Sequence, residues 1–160
     1  MLFFHFININ FRDDYCIIWC ILIHKHAKKQ DSHKEIISKY RKYFNTIDTT
    51  GITFPISMPD IDKLEKLNKL CLNIYTISRT ATGHWTPLSP LRISENTSQP
   101  PCNLLLIQEK TDQHFIYISE FNKLLNVPYS NSPKVHCPFC LQECIIHSFI
   151  HSFHFIHLFI

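Results

Sequence analysis

Hydrophobic and polar residues alternate near the start of the chain, and a continuous hydrophobic run follows. Residues Phe6–Phe11 show the two-residue period of a strand with one buried face. Asp13 and Asp14 then offer side-chain acceptors to backbone N–H groups, which is typical of a helix start. The run Tyr15–Ile23 is therefore predicted to form a buried helix, with a second strand as the alternative because Ile and Trp suit both.

Two later segments show helical periodicity. Residues Lys34–Phe44 carry hydrophobic side chains three and four positions apart, with Lys and Arg between them, which predicts an amphipathic helix. Residues Ser57–Asp60 favour a helix start, with Ser as the N-cap, Pro in the first turn and Asp at the positive end of the helix. The helix that follows is predicted to bury a stripe formed by Ile61, Leu64, Leu67 and Leu70.

The other hydrophobic runs are short and typical of strands. Ser94–Pro101, rich in Pro and Ser, is predicted to be a loop between two of them, and Phe121–Leu125 to be a short helix. Because one sheet must bury these runs, we predict an α+β fold: a mainly antiparallel sheet with a buried N-terminal helix and flanking helices. The strands predicted for this sheet are Phe6–Phe11, Leu72–Ile77, Asn103–Gln108 and His114–Ile118.

The length of 160 residues is enough for one domain with a substantial hydrophobic core. We expect an α+β domain over residues 6–126, a linker and a cysteine-containing segment over residues 127–144, and a low-complexity tail of His, Phe and Ile over residues 145–160. The 16 Lys and Arg exceed the 13 Asp and Glu by too little to predict a nucleic-acid partner on their own.

Cysteine usage and hydrophobic runs bear on the compartment. The seven Cys, an odd number without a secreted spacing pattern, favour a reducing compartment over a disulfide framework. Met1–Phe6 lacks the cationic start and cleavage site of a signal peptide. The run Cys16–Ile23 is shorter than the ~20 residues that cross a bilayer. We therefore expect an intracellular protein, nuclear or cytoplasmic, with no membrane partner.

Cys137 and Cys140 form a Cys-x2-Cys pair with Pro138 between them, the spacing with which a zinc site usually begins. Residues 145–160 are rich in Ile and Phe and lack the Lys, Glu and Arg that a zinc-finger helix normally carries. We therefore predict zinc at an incomplete site, and a tail that does not form a compact ββα finger. The candidates for the third and fourth ligands are Cys144, His136, His147 and His151.

A series of short stretches along residues 15–144 carries a family resemblance. The stretches are Tyr15–Leu22, Tyr40–Phe44, Gly51–Pro55, Asp60–Asn68, Asn73–Tyr75, Leu104–Ile107, His114–Ile118, Leu124–Leu125 and Cys137–Leu141. In this order they resemble the N-terminal, non-catalytic region of proteins related to the type B DNA polymerases of Polinton (Maverick) transposons.

The resemblance implies an accessory region beside a polymerase, in which a polar helix after the second Cys supplies the remaining zinc ligands. The match ends near Cys144, so we expect a truncated, non-catalytic relic of a mobile-element protein. It would act as an interaction module whose partner is nucleic acid or a polymerase module. The chain has neither an Asp-Thr-Asp nor an Asp-Ile-Glu motif, the paired carboxylates that hold metal ions for nucleotidyl transfer. A small zinc-dependent nucleic-acid-binding protein is an alternative.

Cys16 and His114 are the candidate catalytic residues of a further alternative, a cysteine hydrolase. A Cys in the first turn of a helix feels the positive end of the helix dipole, and a His at the start of a strand can act as its general base. This layout resembles papain-like and ovarian-tumour-type cysteine proteases. The chain lacks a Gly in the turn before Cys16 for an oxyanion hole, and only Glu120 and Asn122 are candidates for a third residue. The structural alternative is a small buried Cys and a His that caps a strand.

His24 and His26 lie near the end of the predicted first helix and are candidate metal ligands, although a protonated His at a helix C-terminus is the commoner role. The other assignments are structural: Cys20 and Cys71 in the core, Cys102 at a loop edge, and the charges of Lys28–Lys29 and Lys39–Lys42 on a solvated face.

Overall fold

The computed structural model describes residues 6–8, 13–77, 82, 88–109, 112–121, 135–137, 141 and 143–144. The helices within these residues are α1 (Cys16–His26), α2 (Met58–Asn68) and two 3-10 helices, Ile37–Lys39 and Arg41–Thr46. The strands are β1 (Phe6–Ile7), β2 (Leu72–Thr76), β3 (Ser89–Arg92), β4 (Cys102–Glu109), β5 (Asp112–Ile118), β6 (Val135–His136) and β7 (Glu143–Cys144). The predicted linker, the tail and most of the predicted helix after Phe121 lie outside the described residues.

Five strands form one sheet in the order β1-β5-β4-β2-β3. The pairs β1–β5, β4–β5 and β2–β3 are antiparallel, whereas β2 and β4 run parallel. A short two-residue connection separates β4 from β5, which allows only an antiparallel hairpin. The predicted α+β fold with one mainly antiparallel sheet is confirmed, and each of the four predicted strands contributes to that sheet.

Strand β3 is not predicted by the sequence, because it carries Pro90. A proline has no N–H to donate to the ladder, so it disfavours a strand except at the edge of a sheet. β3 lies at that edge, where Pro90 is paired with Tyr75 of β2. The tertiary position of this segment therefore overrides its local sequence preference.

The first two turns of helix α1 are enclosed on all sides. Each residue from Cys16 to Ile23 is at most 6% exposed, and the helix packs against β5, β4 and the second 3-10 helix. The predicted buried helix is confirmed and extends to His26. Within the described part of the chain, no helix combines the length and the hydrophobicity needed to cross a membrane.

The amphipathic α-helix predicted over Lys34–Phe44 is wrong, because this segment forms the two 3-10 helices. The buried Ile37 and Tyr40 and the partly buried Tyr43 recur every three residues, which is the period of a 3-10 helix. Ile36, which an α-helical stripe would bury beside Tyr40, is 42% exposed. The three-residue spacing therefore decides the conformation.

The start of α2 matches the prediction. Ser57 Oγ accepts a hydrogen bond from Asp60 N at 3.4 Å and donates one to the Asp60 carboxylate at 2.7 Å. Pro59 lies in the first turn, where its missing N–H costs no helical hydrogen bond. The helix ends at Asn68, and the following Lys69, with a φ of 50°, turns the chain towards β2.

The buried face of α2 differs from the predicted stripe. Ile61, Leu64 and Glu65 are buried, with the spacing of one helix face. Leu67, which was predicted to be buried, is 39% exposed, because it lies six residues after Ile61 and points away from that face. Leu70 is buried as predicted, but it lies beyond the helix.

The sheet buries hydrophobic residues on both faces. The larger cluster holds α1, α2, the first 3-10 helix and the sheet residues that face them, among them Phe115. The second cluster lies on the opposite face around Tyr75, Leu105 and Ile116. Leu141, from the cysteine-containing segment, packs against this second cluster. The segment around Cys137 is therefore attached to the face of the sheet that α1 leaves open.

Candidate functional site

Cys16 lies in the first turn of α1, where its thiol meets the backbone of β5. Its Sγ accepts a hydrogen bond from Phe115 N at 3.4 Å. Burial raises the pKa of the Cys16 thiol, and the hydrogen bond from Phe115 opposes this effect without cancelling it. Because the thiolate is the nucleophilic form, this environment holds Cys16 in its less reactive, neutral form.

His114 has a different partner, since its Nε2 lies 2.8 Å from Asn8 Oδ1. Consecutive strand residues point to opposite faces of a sheet, and Phe115 belongs to the cluster that α1 covers. Among the described residues, no hydrogen bond joins the side chains of Cys16 and His114. The catalytic pair therefore stays a prediction.

Cys16 should react slowly with iodoacetamide in the folded protein, because its thiol is buried and its pKa is raised. In protein stripped of zinc with a chelator, we expect Cys137, which is only partly buried, to react at least about tenfold faster. Mass spectrometry of peptides from protein alkylated with and without urea measures both rates. Fast labelling of Cys16 that is lost in His114→Ala would instead support the hydrolase alternative.

Cys137 directly follows β6, and Leu141 lies two residues before β7. Leu141 N donates a hydrogen bond to Cys137 O at 2.9 Å, and Leu141 has a φ of 60°, in the left-handed region. The two strands pair antiparallel, so the backbones of His136 and Cys144 belong to one hairpin. The backbone carbonyl of Cys137, the first Cys of the Cys-x2-Cys pair, is therefore bonded to a residue close to this hairpin.

The ligand set of this site extends past the described residues. Cys140, His147 and His151 lie outside them. Within the ranges that the structure describes, no group of three or more His, Cys, Asp and Glu side chains is placed to hold a metal ion. Zinc at Cys137 and Cys140 therefore stays a prediction.

His24 and His26 each contact a tyrosine side chain. His24 Nδ1 lies 3.2 Å from the Tyr117 hydroxyl, and burial lowers the pKa of His24. The His26 ring stacks on Tyr43, with centroids 3.8 Å apart and planes at 7°. Burial, and then the charges of Lys25 and Lys42, lower the pKa of His26. Both imidazoles are therefore biased towards the neutral form.

A shallow aromatic hollow lies beside α1 and the second 3-10 helix. Its volume is about 410 Å³, and Asp13, Tyr15, Trp19, Arg41, Phe44 and Asn45 line it. The Tyr15 and Phe44 rings meet edge to face at 5.4 Å, and the Trp19 and Phe44 rings lie 4.8 Å apart. Asp13 accepts hydrogen bonds from Tyr15 N and Trp19 Nε1, both at 3.0 Å. The carboxylate thus fixes the Trp19 ring and the backbone of Tyr15.

Positive charge is concentrated next to this hollow. Residues 24–46, here called the cationic segment, contain seven Lys and Arg and only two acidic residues. The side chains of Lys25, Lys28, Lys29, Arg41 and Lys42 in this segment are exposed. The stacking of His26 on Tyr43 joins the end of α1 to the second 3-10 helix, so both halves of the segment share one surface. Lys42 Nζ lies 4.9 Å from the centre of the Tyr43 ring.

A buried charge cluster joins α2, β2 and β3 and is not among the sequence candidates. The Arg92 guanidinium makes two contacts of 3.1 Å with the Glu65 carboxylate and donates to Leu72 O at 2.6 Å. Glu65 also accepts a hydrogen bond from Leu72 N at 2.7 Å. Burial raises the pKa of Glu65, but the hydrogen bonds from Arg92 and Leu72 outweigh it and hold the pKa below its ordinary value. The sequence signal for this cluster is an acid four residues after Ile61, on the buried face of α2.

Comparisons with known proteins add no family or homologue to this geometry. The chain matches no family model, no curated protein and no solved structure.

Proposed function

We propose that this protein is a non-catalytic module that binds nucleic acid through its cationic segment, with a zinc-stabilised turn at Cys137 and Cys140. The observation that carries the proposal is the exposure of Lys and Arg side chains from two adjacent elements on one surface, next to aromatic rings. Lys and Arg side chains neutralise phosphates and release counterions, which drives binding to nucleic acid.

The distribution of charge supports this proposal more than the net charge does. The whole chain carries a net charge of +3, and the cationic segment holds seven of its 16 Lys and Arg. Removing this segment would leave the rest of the chain slightly acidic. The positive field is therefore local, as a binding surface for a polyanion requires.

The spacing of Cys137 and Cys140 supports a structural zinc ion. Two thiolates from a Cys-x2-Cys pair would bind zinc at ~2.3 Å each, and a hydrogen bond from Leu141 N to Cys137 O holds the backbone of the first Cys. Because Leu141 packs on the second cluster, a zinc ion here would stabilise the attachment of the hairpin to the sheet. Cys144 and His136 from the same hairpin, and His147 and His151 beyond it, are the proposed sources of the remaining ligands.

Charge reversal tests the binding proposal. Arg41→Glu/Lys42→Glu should weaken binding to labelled oligonucleotides. The plot of log association constant against log salt concentration should become shallower by about 1.4 for a single strand, because two phosphate contacts are lost. The control Lys63→Glu/Lys66→Glu makes the same charge change on α2 and should bind like the wild type. Fluorescence anisotropy over a salt series measures both. Equal losses in the two variants, or no binding by the wild-type protein, would contradict the proposal.

Metal analysis tests the zinc proposal. Purified protein should contain about one equivalent of zinc, and Cys137→Ser should lose it, because two thiolates supply half of a tetrahedral site. Cys16→Ala is the control and should keep the metal, since its thiol lies in the larger cluster. Zinc-free wild-type protein that refolds identically with and without added zinc would remove this part of the proposal.

The resemblance to Polinton polymerase-related proteins supports a polymerase module as a further partner. This origin is testable in the genomic sequence around the coding region. Polymerase or exonuclease motifs there, in any reading frame, would support it. An unrelated neighbourhood would leave the nucleic-acid proposal to stand on the cationic segment alone.

A further inference from the structure

The aromatic hollow has the chemistry of a binding site for a planar ring. It combines the rings of Tyr15, Trp19 and Phe44 with the charges of Asp13 and Arg41 and the amide of Asn45. Tyr15 is 39% exposed, although its ring contacts the rings of Phe44 and Phe54. The volume of the hollow, about 410 Å³, lies in the range of small-molecule sites.

We propose that this hollow binds one unpaired base of a single-stranded nucleic acid, an inference that rests on the nucleic-acid binding proposed above. The Tyr15 and Phe44 rings are inclined at 80°, so a base that stacks on one ring contacts the edge of the other. Stacking on aromatic side chains contributes about 1–3 kcal/mol per base and tolerates any base. A base in a duplex cannot enter, because its faces are already stacked.

The charges decide which part of a nucleotide enters the hollow. The Asp13 carboxylate lies inside and repels a phosphate, but it can accept a hydrogen bond from the amino group of a base. Arg41 belongs to the cationic segment and can bind the adjoining phosphate, while Asn45 offers an amide to the base edge. A methylated ammonium, the other ligand of aromatic cages, is disfavoured because the surrounding segment is strongly positive.

A larger hollow of about 820 Å³ at the other end of α1 is a weaker candidate. Lys29, Lys34, Asp31, Glu35 and Glu120 contribute charges of both signs to its lining. This mixture selects neither an anion nor a cation. In the aromatic hollow, by contrast, both the shape and the charges favour an unpaired base.

The test uses the full chain with Trp85→Phe, which leaves Trp19 as the single tryptophan. A single-stranded oligonucleotide of about 12 residues should quench Trp19 fluorescence, whereas the duplex of the same sequence should not. Tyr15→Ala should weaken single-strand binding by about 5- to 150-fold and leave duplex binding within about twofold of the parent. Tyr15→Phe keeps the ring and should bind like the parent, as should Leu91→Ala, a control at another exposed hydrophobic residue.

The outcomes distinguish base binding in the aromatic hollow from nucleic-acid binding through the cationic segment. Salt-dependent binding that is equal for single strand and duplex, with Tyr15→Ala unaffected, overturns the inference and leaves nucleic-acid binding in place. Absence of binding to either oligonucleotide overturns both. Circular dichroism and urea unfolding show whether Tyr15→Ala has a folding defect. If it does, the difference in Trp19 quenching between single strand and duplex decides, in the parent protein, whether the hollow binds an unpaired base.

Discussion

Replacing Arg92 with methionine should lower the free energy of unfolding by about 3–5 kcal/mol. The Arg92 side chain is 15% exposed and its partner Glu65 is 9% exposed, so the substitution leaves a buried carboxylate without its counter-ion. It also removes the hydrogen bond to Leu72 O, which joins the edge strand β3 to β2. Urea unfolding monitored by circular dichroism measures the change.

The matched control is Asp62→Asn. Asp62 contacts the same guanidinium at 2.7 Å but is 59% exposed, so its loss should cost less than about 1 kcal/mol. The double variant Glu65→Leu/Arg92→Met should recover part of the stability, because it removes both buried charges. Similar losses for Arg92→Met and Asp62→Asn would show that the burial of Glu65 is not the cause.

Acidic pH should reduce the difference in the free energy of unfolding between Arg92→Met and the wild type. In the wild type the pKa of Glu65 is lower in the folded state than its ordinary value of 4.5, so its contribution to stability is lost as pH falls below about 4.5. Without Arg92, burial raises the pKa of Glu65 in the folded state, so protonation restores stability to the variant. Urea unfolding at neutral and acidic pH measures this gap, and a gap that is constant with pH would contradict the assigned cause.

Truncating Ile18 to alanine should lower the free energy of unfolding by about 2–5 kcal/mol. Ile18 is fully buried in α1, which packs against the sheet on one side and the second 3-10 helix on the other. Because the first two turns of α1 are enclosed on all sides, the neighbours have little freedom to fill the cavity.

Two variants calibrate this result. Ile18→Val removes one methylene and should cost about 0.5–1.5 kcal/mol. Lys25→Ala changes an exposed residue of the same helix and should stay within about 0.5 kcal/mol of the wild type. Urea unfolding of the three variants gives the comparison, and a loss below about 1 kcal/mol for Ile18→Ala would mean that α1 is loosely packed.

Local patterns predicted those elements whose residues carry their own signal. The hydrophobic run after Asp13 became α1, and Ser57 caps α2 through Asp60 as expected. Where two periods competed, the pattern failed. The hydrophobic residues of Lys34–Phe44 fit both an α-helix and a 3-10 helix, and packing of Ile37 and Tyr40 against the core selected the second.

The candidate sites depend on residues far apart in the chain, so local patterns say less about them than about the fold. The pairing of Cys16 with His114 stays a prediction, and the structure adds a backbone partner for Cys16 at Phe115 and a side-chain partner for His114 at Asn8. The first helix and the later 3-10 helix contribute separate walls of the aromatic hollow. No single segment of the sequence therefore contains all the residues that line the hollow.

The sequence by itself determined the α+β class, the buried first helix, the four main strands and the Cys-x2-Cys spacing, since each depends on residues that are neighbours in the chain. Only the tertiary structure decided that Pro90 lies in an edge strand, that Glu65 is buried against Arg92, and that Tyr15 meets Phe44. These contacts join residues roughly 15 to 30 positions apart, so they stabilise the protein only after the chain has folded and brought those residues together. Local periodicity carries no information about them.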